Sequence, residues 1–317
     1  MQLYPNITPY HDFHLSVGSG HQIHVQEFGD PAGLPVVICH GGPGVGLHAD
    51  NCRFFDPTRY RIILYSQRGC GQSTPHLTSA NTTTELVADL DYLRTYLGLE
   101  KWVLSGGSWG ATLCLLYAIE HTQHVHGLIL RGTFLATSAD FQWLYSRHGA
   151  AAHFYPELYA RFSQELPDVA SIFAFYRRQL NDDNQINANH FAKLWCQWEN
   201  VLSHGKQQHQ WGLSSPQLGL NMARLMVHYF TAQCFITDNF IGEHYKKISK
   251  IPTWFIHGRH DLVCRFNAVQ HLAEQLNAQL LILDGVGHGV DSNVYLAAVR
   301  RAADLMWIKL SRNRCKD

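Results

Sequence analysis

Short apolar runs recur along the chain at Val36-Val37-Ile38-Cys39, Arg61 to Tyr65, Trp102-Val103-Leu104-Ser105, Leu128 to Leu130, Thr253-Trp254-Phe255-Ile256 and Gln279 to Leu283. Their length and near-continuous hydrophobicity fit strands buried on both faces rather than strands with one wet side. Helix-period segments fall between or after them, at Thr84 to Leu97, Thr112 to Ile119, Phe266 to Leu276 and Val294 to Leu310. Residues 12–28, with Gly18-Ser19-Gly20 as the turn, predict an antiparallel hairpin at the sheet edge. Such alternation predicts an α/β fold: a mostly parallel sheet with helices on both faces.

From about Phe134 to Tyr245 the strand signal stops. Aromatic residues and helix formers take over, broken by turn residues at Asn181-Asp182-Asp183-Asn184 and at Gly212 to Pro216. We expect a helical cap over residues 134–245, inserted between a first core part (1–133) and a second (246–317). Most of its aromatics, including Trp143, Trp195 and Trp198, would form the cap's own core.

Five residues at the end of one apolar run carry the chemistry. Gly106-Gly107-Ser108-Trp109-Gly110 stands between the Trp102 strand and the helix that begins near Ala111. A chain reversing there needs small neighbours, and the side chain at its apex is exposed at the strand's carboxyl end. The first amides of the next helix sit beside it and favour a developing negative charge. Ser108 is therefore the candidate nucleophile.

A serine hydroxyl needs a base, and the base needs an orienting acid. Asp261 follows the Thr253 strand in Gly258-Arg259-His260-Asp261, and His288 follows the Leu280 strand in Asp284-Gly285-Val286-Gly287-His288-Gly289. Ser, then Asp, then His, each just beyond a strand, is the serial order of α/β hydrolases. With 21 histidines in the chain, position in this ordered triple is what singles out His288. After the Val36 strand, His40-Gly41-Gly42-Pro43-Gly44 can turn backbone N–H groups into a cavity. Gly42 and Trp109 are the expected oxyanion donors, with Gly41 as fallback for the first. The loop lacks the lysine of a phosphate-binding loop and the spacing of a dinucleotide fingerprint.

Together with Phe54-Phe55-Asp56-Pro57, Gln67-Arg68-Gly69-Cys70-Gly71-Gln72-Ser73, Leu130-Arg131-Gly132, Trp198-Glu199 and His228-Tyr229-Phe230, these motifs span nearly the whole chain. The sequence resembles the proline iminopeptidases, serine aminopeptidases of the α/β-hydrolase fold. The resemblance implies release of an N-terminal proline from short peptides by acyl-enzyme chemistry, with no metal or organic cofactor. It also implies that Glu199 binds the substrate's free amine. Two positions depart from the family pattern: Ser66 stands where an aspartate usually precedes Gln-Arg-Gly, and Met226 where a second amine-binding glutamate is expected. The second should weaken amine recognition without abolishing it. A related esterase or amidase indifferent to the amine stays open as an alternative, as does a silent binding protein of the same fold.

Composition limits the remaining choices. At 317 residues and 46% hydrophobic, the chain can bury one large core with an inserted subdomain. Lys+Arg and Asp+Glu both number 25, so no net field draws nucleic acid or an anionic membrane. No segment reads as a leader or membrane span, and a cytoplasmic location is the default. The eight cysteines lack paired metal spacing and read as free thiols. Cys70 and Cys264 fall in loops beside the expected site. The histidine clusters His21/His24 and His121/His124/His126 have no accompanying carboxylate set, and read as packed or solvated.

Overall fold

The computed structural model describes residues 3–205, 215–290 and 292–314. Eight strands form one sheet: β1 His11–Ser16, β2 Gln22–Gly29, β3 Leu34–Cys39, β4 Tyr60–Tyr65, β5 Trp102–Ser108, β6 Val125–Thr133, β7 Thr253–Gly258 and β8 Gln279–Leu283. Their spatial order is β1-β2-β4-β3-β5-β6-β7-β8. β1 and β2 form the expected antiparallel edge hairpin, and β2 meets β4 antiparallel. Every other pairing is parallel.

The central strands are buried as their sequences require. All residues of β3 and β7 are buried, and β5 is buried up to Gly107. One apolar cluster lies on each side of the sheet. At the far edge β8 is half open, with Ile282 38% exposed. β5 and β6 run further than their apolar runs. Gly106 and Gly107 keep pairing with β6 through their backbones, although they carry no hydrophobic signal.

The helices of the core are α1 Thr83–Tyr96 and α2 Trp109–Glu120. Glu85 Oε2 accepts from both the backbone N–H and the hydroxyl of Thr82, each at 2.8 Å, which fixes the start of α1. α2 begins directly after Ser108 and is buried to Ile119.

Between β6 and β7 the described residues form no strand. They form α3 Ser138–Tyr145, α4 Ala150–Phe154, α5 Pro156–Ser163, α6 Val169–Leu180, α7 Gln185–His204, α8 Pro216–Thr231 and α9 Phe240–His244. Of the second expected turn segment, Gly212 to Ser214 lie outside the described residues, as does Cys315. Tyr145, Phe162, Phe173, Trp195 and Phe230 pack with ring centroids 5.0–6.2 Å apart. Aromatic pairs at these separations add to the burial of their own area. Hydrogen bonds and an ion pair tie the insertion to the core, among them Trp143 Nε1 donating to Leu262 O at 2.9 Å, Arg265 pairing with Asp140 at 2.6 Å, and Tyr229 donating to Asn81 Oδ1 at 2.7 Å. The core closes with α10 Phe266–Gln275 and α11 Asn293–Arg314. Among the described residues, no helix is long and apolar enough to cross a membrane.

Candidate active site

Ser108 ends β5 with φ 57° and ψ −125°, a conformation that non-glycine residues avoid. The surrounding backbone enforces it. A Cβ on Gly106 would lie 2.4 Å from Gly110 O, and one on Gly110 would lie 2.1 Å from Cys39 O. Both distances are far inside contact, so the turn closes only with glycine at these two places. Ser108 itself stays partly accessible between buried neighbours.

Asp261 and His288 come from loops after β7 and β8, brought side by side by the pairing of those strands. His288 Nδ1 and Asp261 Oδ2 are 2.8 Å apart. The Asp261 side chain has no exposed surface. Burial acts against its charge, but the imidazole of His288, hydrogen bonds and His257 outweigh it and hold the carboxyl below its usual range. Asp261 Oδ1 accepts from the backbone N–H groups of Val263 and Cys264, both at 2.8 Å. The carboxylate is thereby fixed on one side while the other faces the imidazole.

Ser108 reaches the same place from β5. It pairs with Thr133 at the end of β6. The ligating atoms of Cys264, Asp261 and His288 all lie within 4.8 Å of one another. A Cβ on Gly132 would be 3.0 Å from the His288 ring, so the end of β6 also packs on that imidazole. The expected acid and base are thus in contact, and Ser108 stands at the end of the strand that pairs with β6 beside them. Asp261, Cys264 and His288 also make up the one cluster of metal-ligating side chains among the described residues; its carboxylate and imidazole are already bonded to each other.

The glycine loop lies against the elbow: a Cβ on Gly41 would sit 3.4 Å from Ser108 Cβ. Gly42 has φ +116°, which places that peptide outside the range of other residues. His40 braces the loop from behind, with its Nε2 accepting from Gln67 N at 2.9 Å while Gln67 Nε2 donates to His40 O at 2.9 Å. Burial lowers the His40 imidazole to about 4, so it is neutral in that role. Trp109, the first residue of α2, is pinned through Nε1 to Gln67 Oε1 at 3.0 Å.

Glu199 projects from α7 and is 6% exposed. Its Oε1 accepts from the Tyr145 hydroxyl at 2.5 Å. Burial pushes its carboxyl up to about 7, against the hydrogen bond from Tyr145 and the attraction of His288. Met226, on the neighbouring α8, is buried at 3% exposure.

Ser66 proves compatible with a closed network. Its hydroxyl accepts from Leu47 N at 3.1 Å. A Cβ on Gly71 would fall 2.5 Å from that oxygen, which leaves little room for a longer side chain. The charge of Arg68 is met instead by Asp89, with Nε and Nη2 donating at 2.6 and 2.7 Å.

Sequence reasoning missed two contributors. Tyr145, on α3, is remote from every motif and becomes visible only once the insertion folds back on α7. His257 directly follows the apolar run Thr253 to Ile256 and belongs to no motif. Its ring is fully buried, with Nε2 3.0 Å from Cys264 O and 3.4 Å from Asp261 Oδ2. Its place in the strand ending at Gly258-Arg259-His260-Asp261, four residues before the acid, was the available signal.

A cavity of about 790 Å³ borders the acid loop, lined by Trp143, Tyr155, Leu202, Asp261, Phe266 and the glycines either side of His288. It lies between the insertion and the acid loop.

Comparison with known proteins shows the fold and the family. A family model described as alpha/beta hydrolase fold matches residues 35–290. The proline iminopeptidase of Xanthomonas citri is 37% identical over 310 residues, covering 95% of this chain and 98% of that protein. The proline iminopeptidase of Arabidopsis thaliana is 36% identical, covering 91% and 78%. Among solved structures, a bromoperoxidase from Bacillus anthracis aligns with TM-score 0.63 at 20% identity, covering 94% of this chain and all of that one. A proline iminopeptidase-related protein from Thermus thermophilus aligns with TM-score 0.58 at 20% identity, covering 95% and 98%. At that identity these two speak for the fold alone.

Proposed function

This chain belongs to the proline iminopeptidase family of α/β hydrolases, and on that footing we propose that Ser108, His288 and Asp261 release an N-terminal proline from short peptides. Ser108 Oγ attacks the carbonyl carbon of the first residue, and His288 Nε2 takes the hydroxyl proton. Asp261 keeps the imidazole in the tautomer whose Nδ1–H it accepts, and stabilises the imidazolium that forms. The tetrahedral oxyanion faces the backbone N–H groups of Gly42 and Trp109, where the loop and the start of α2 meet. His288 returns its proton to the departing amine, leaving a prolyl ester on Ser108. Water then attacks that ester with His288 again as base, releasing proline and restoring the hydroxyl.

Specificity for a free N-terminus falls to Glu199. An ammonium about 4 Å from one carboxylate gains ~4 kcal/mol of gross Coulomb energy at an effective dielectric near 20, from which desolvation is subtracted. The Met226 thioether adds an apolar, adaptable wall instead of a second charge. The helical insertion 134–245 acts as the cap that carries Glu199 and shields the reaction from water. The reaction asks for no metal or organic cofactor, and we place the enzyme in the cytoplasm among short peptides.

The observation that carries this reading is the 2.8 Å His288–Asp261 pair set beside a serine held at φ 57°. Kinetics on a prolyl arylamide, its N-acylated form and a short acyl ester test it. Turnover of the first well above the second is expected. An N-acylated substrate cleaved as fast as the free amine would favour the esterase or amidase reading, for which the buried Glu199 has no use.

A further inference from the structure

A second cavity, of about 510 Å³, lies on the opposite side of α8 from the glycine loop. α8 presents Met222 and Leu225 to Gly44, where an added Cβ would meet them at 3.2–3.3 Å. Its other face contributes Arg224 and His228 to this cavity. α6 adds Arg177, Arg178 and Asn181, and Thr78 closes it from the loop before α1. Three guanidinium groups and an imidazole thus share one volume, and among the described residues no carboxylate lines it.

The local structure accounts for only part of this charge. Arg224 Nε donates to Leu180 O at 2.8 Å, capping the end of α6, and the Arg178 guanidinium lies 5.9 Å from the Phe175 ring. Cations at a helix C-terminus do answer its dipole, but that effect is worth a fraction of one charge. Two acids close in sequence are engaged elsewhere. Asp182 accepts from Asn184 N and from Asn187 Nδ2, and Glu85 caps α1 through Thr82. Burial lowers the Arg224 guanidinium with no carboxylate opposing the shift. His228 is likewise lowered, first by burial and also by Arg177, against its bond to Asn81 O and the attraction of Glu85. Arg177 thus works against a charge on His228, and among the described residues no carboxylate lines the cavity beside them.

We propose that this cavity binds a small polyvalent phosphate. Guanidinium forks match phosphate oxygens in bidentate geometry, and anions held by several of them gain charge-assisted hydrogen bonds that a monovalent ion cannot use fully. Asn181 and Thr78 supply neutral donors at the rim. The site is separate from the triad and from Glu199, and stands whether or not the proline-releasing reading holds.

Titration calorimetry of the full chain with inorganic pyrophosphate in low-salt buffer tests the assignment. Saturable binding at one site per chain is expected, with affinity falling as salt rises. Arg177→Gln and Arg224→Gln should each cost about tenfold, equivalent to about 1.4 kcal/mol. Turnover of a prolyl arylamide by the same variants should stay at the wild-type level, which separates lost binding from lost folding. Should Arg224→Gln unfold, through its bond to Leu180 O, the exposed pair Arg177→Gln and Arg178→Gln gives the same reading. The proposal is overturned by absence of saturable binding, by variants that bind pyrophosphate as wild type, or by citrate binding as tightly as pyrophosphate.

Discussion

Replacing Glu199 by glutamine removes a charge while keeping the size of the side chain and the acceptor for Tyr145. A carboxyl at about 7 rather than the 4.5 of a solvated glutamate prefers its neutral form by about 3 kcal/mol, at roughly 1.4 kcal/mol per tenfold. Ionised at pH 8 and about nine-tenths protonated at pH 6, Glu199 holds an ammonium well only at the higher pH. The assay is the ratio of kcat/KM for a prolyl arylamide to that for its N-acylated form, in which the titration of the triad cancels. For the wild type this ratio should fall about tenfold from pH 8 to pH 6. For Glu199→Gln it should be flat. At pH 8 the variant should lose about 2 kcal/mol of free-amine recognition, or about thirty-fold, the range for a hydrogen bond to a charged group. A wild-type ratio independent of pH, or a slope that survives in the variant, refutes the reasoning.

The same group makes a stability prediction with no reference to substrate. A carboxyl raised on folding stays protonated in the native chain between about 4.5 and about 7, where the unfolded chain has released its proton. Its contribution is therefore greatest below that window and declines as pH rises through it, by up to about 3 kcal/mol. Denaturant titrations should show this decline in the wild type and not in Glu199→Gln.

Met226→Glu should lower KM for the prolyl arylamide with little change for the N-acylated form; no change in either places the side chain outside the amine pocket. Gly110→Ala forces a Cβ to 2.1 Å from Cys39 O and should cost about 4 kcal/mol or more, as backbone clashes in a core do, read as loss of cooperative unfolding or of expression. Cys70 and Cys264 are buried at 3% and 0% exposure, and burial raises both thiols, so bulky thiol reagents should inactivate slowly and partially. A Cys70→Ser, Cys264→Ser double variant that keeps the same sensitivity would contradict a role for either thiol.

How far the sequence reached depended on whether a signal was local. Strand-forming runs, the elbow glycines and the Ser-Asp-His order are written in neighbouring residues, and the folded chain joins Asp261 to His288 and sets Ser108 at the end of β5. Tyr145 and His257 were not legible, because each matters through a partner on another element. A buried tyrosine on α3 and a histidine inside an apolar run look like core until α7 and the acid loop are in position. Nor could the row of three arginines be seen as one group, since Arg177 and Arg178 meet Arg224 only where α6 crosses α8. Ser66 shows the reverse case. Its departure from the family pattern suggested a missing charge, yet Arg68 finds Asp89 twenty-one positions away, a pairing that no local pattern announces.

The acyl-enzyme itself is the most direct test. Rapid quenching of the enzyme with a prolyl ester, followed by peptide mapping in a mass spectrometer, should find the prolyl group on the peptide that carries Ser108, and none after Ser108→Ala. Undiminished turnover by Ser108→Ala, or a prolyl group mapped to Cys264 or any other side chain, would contradict the account.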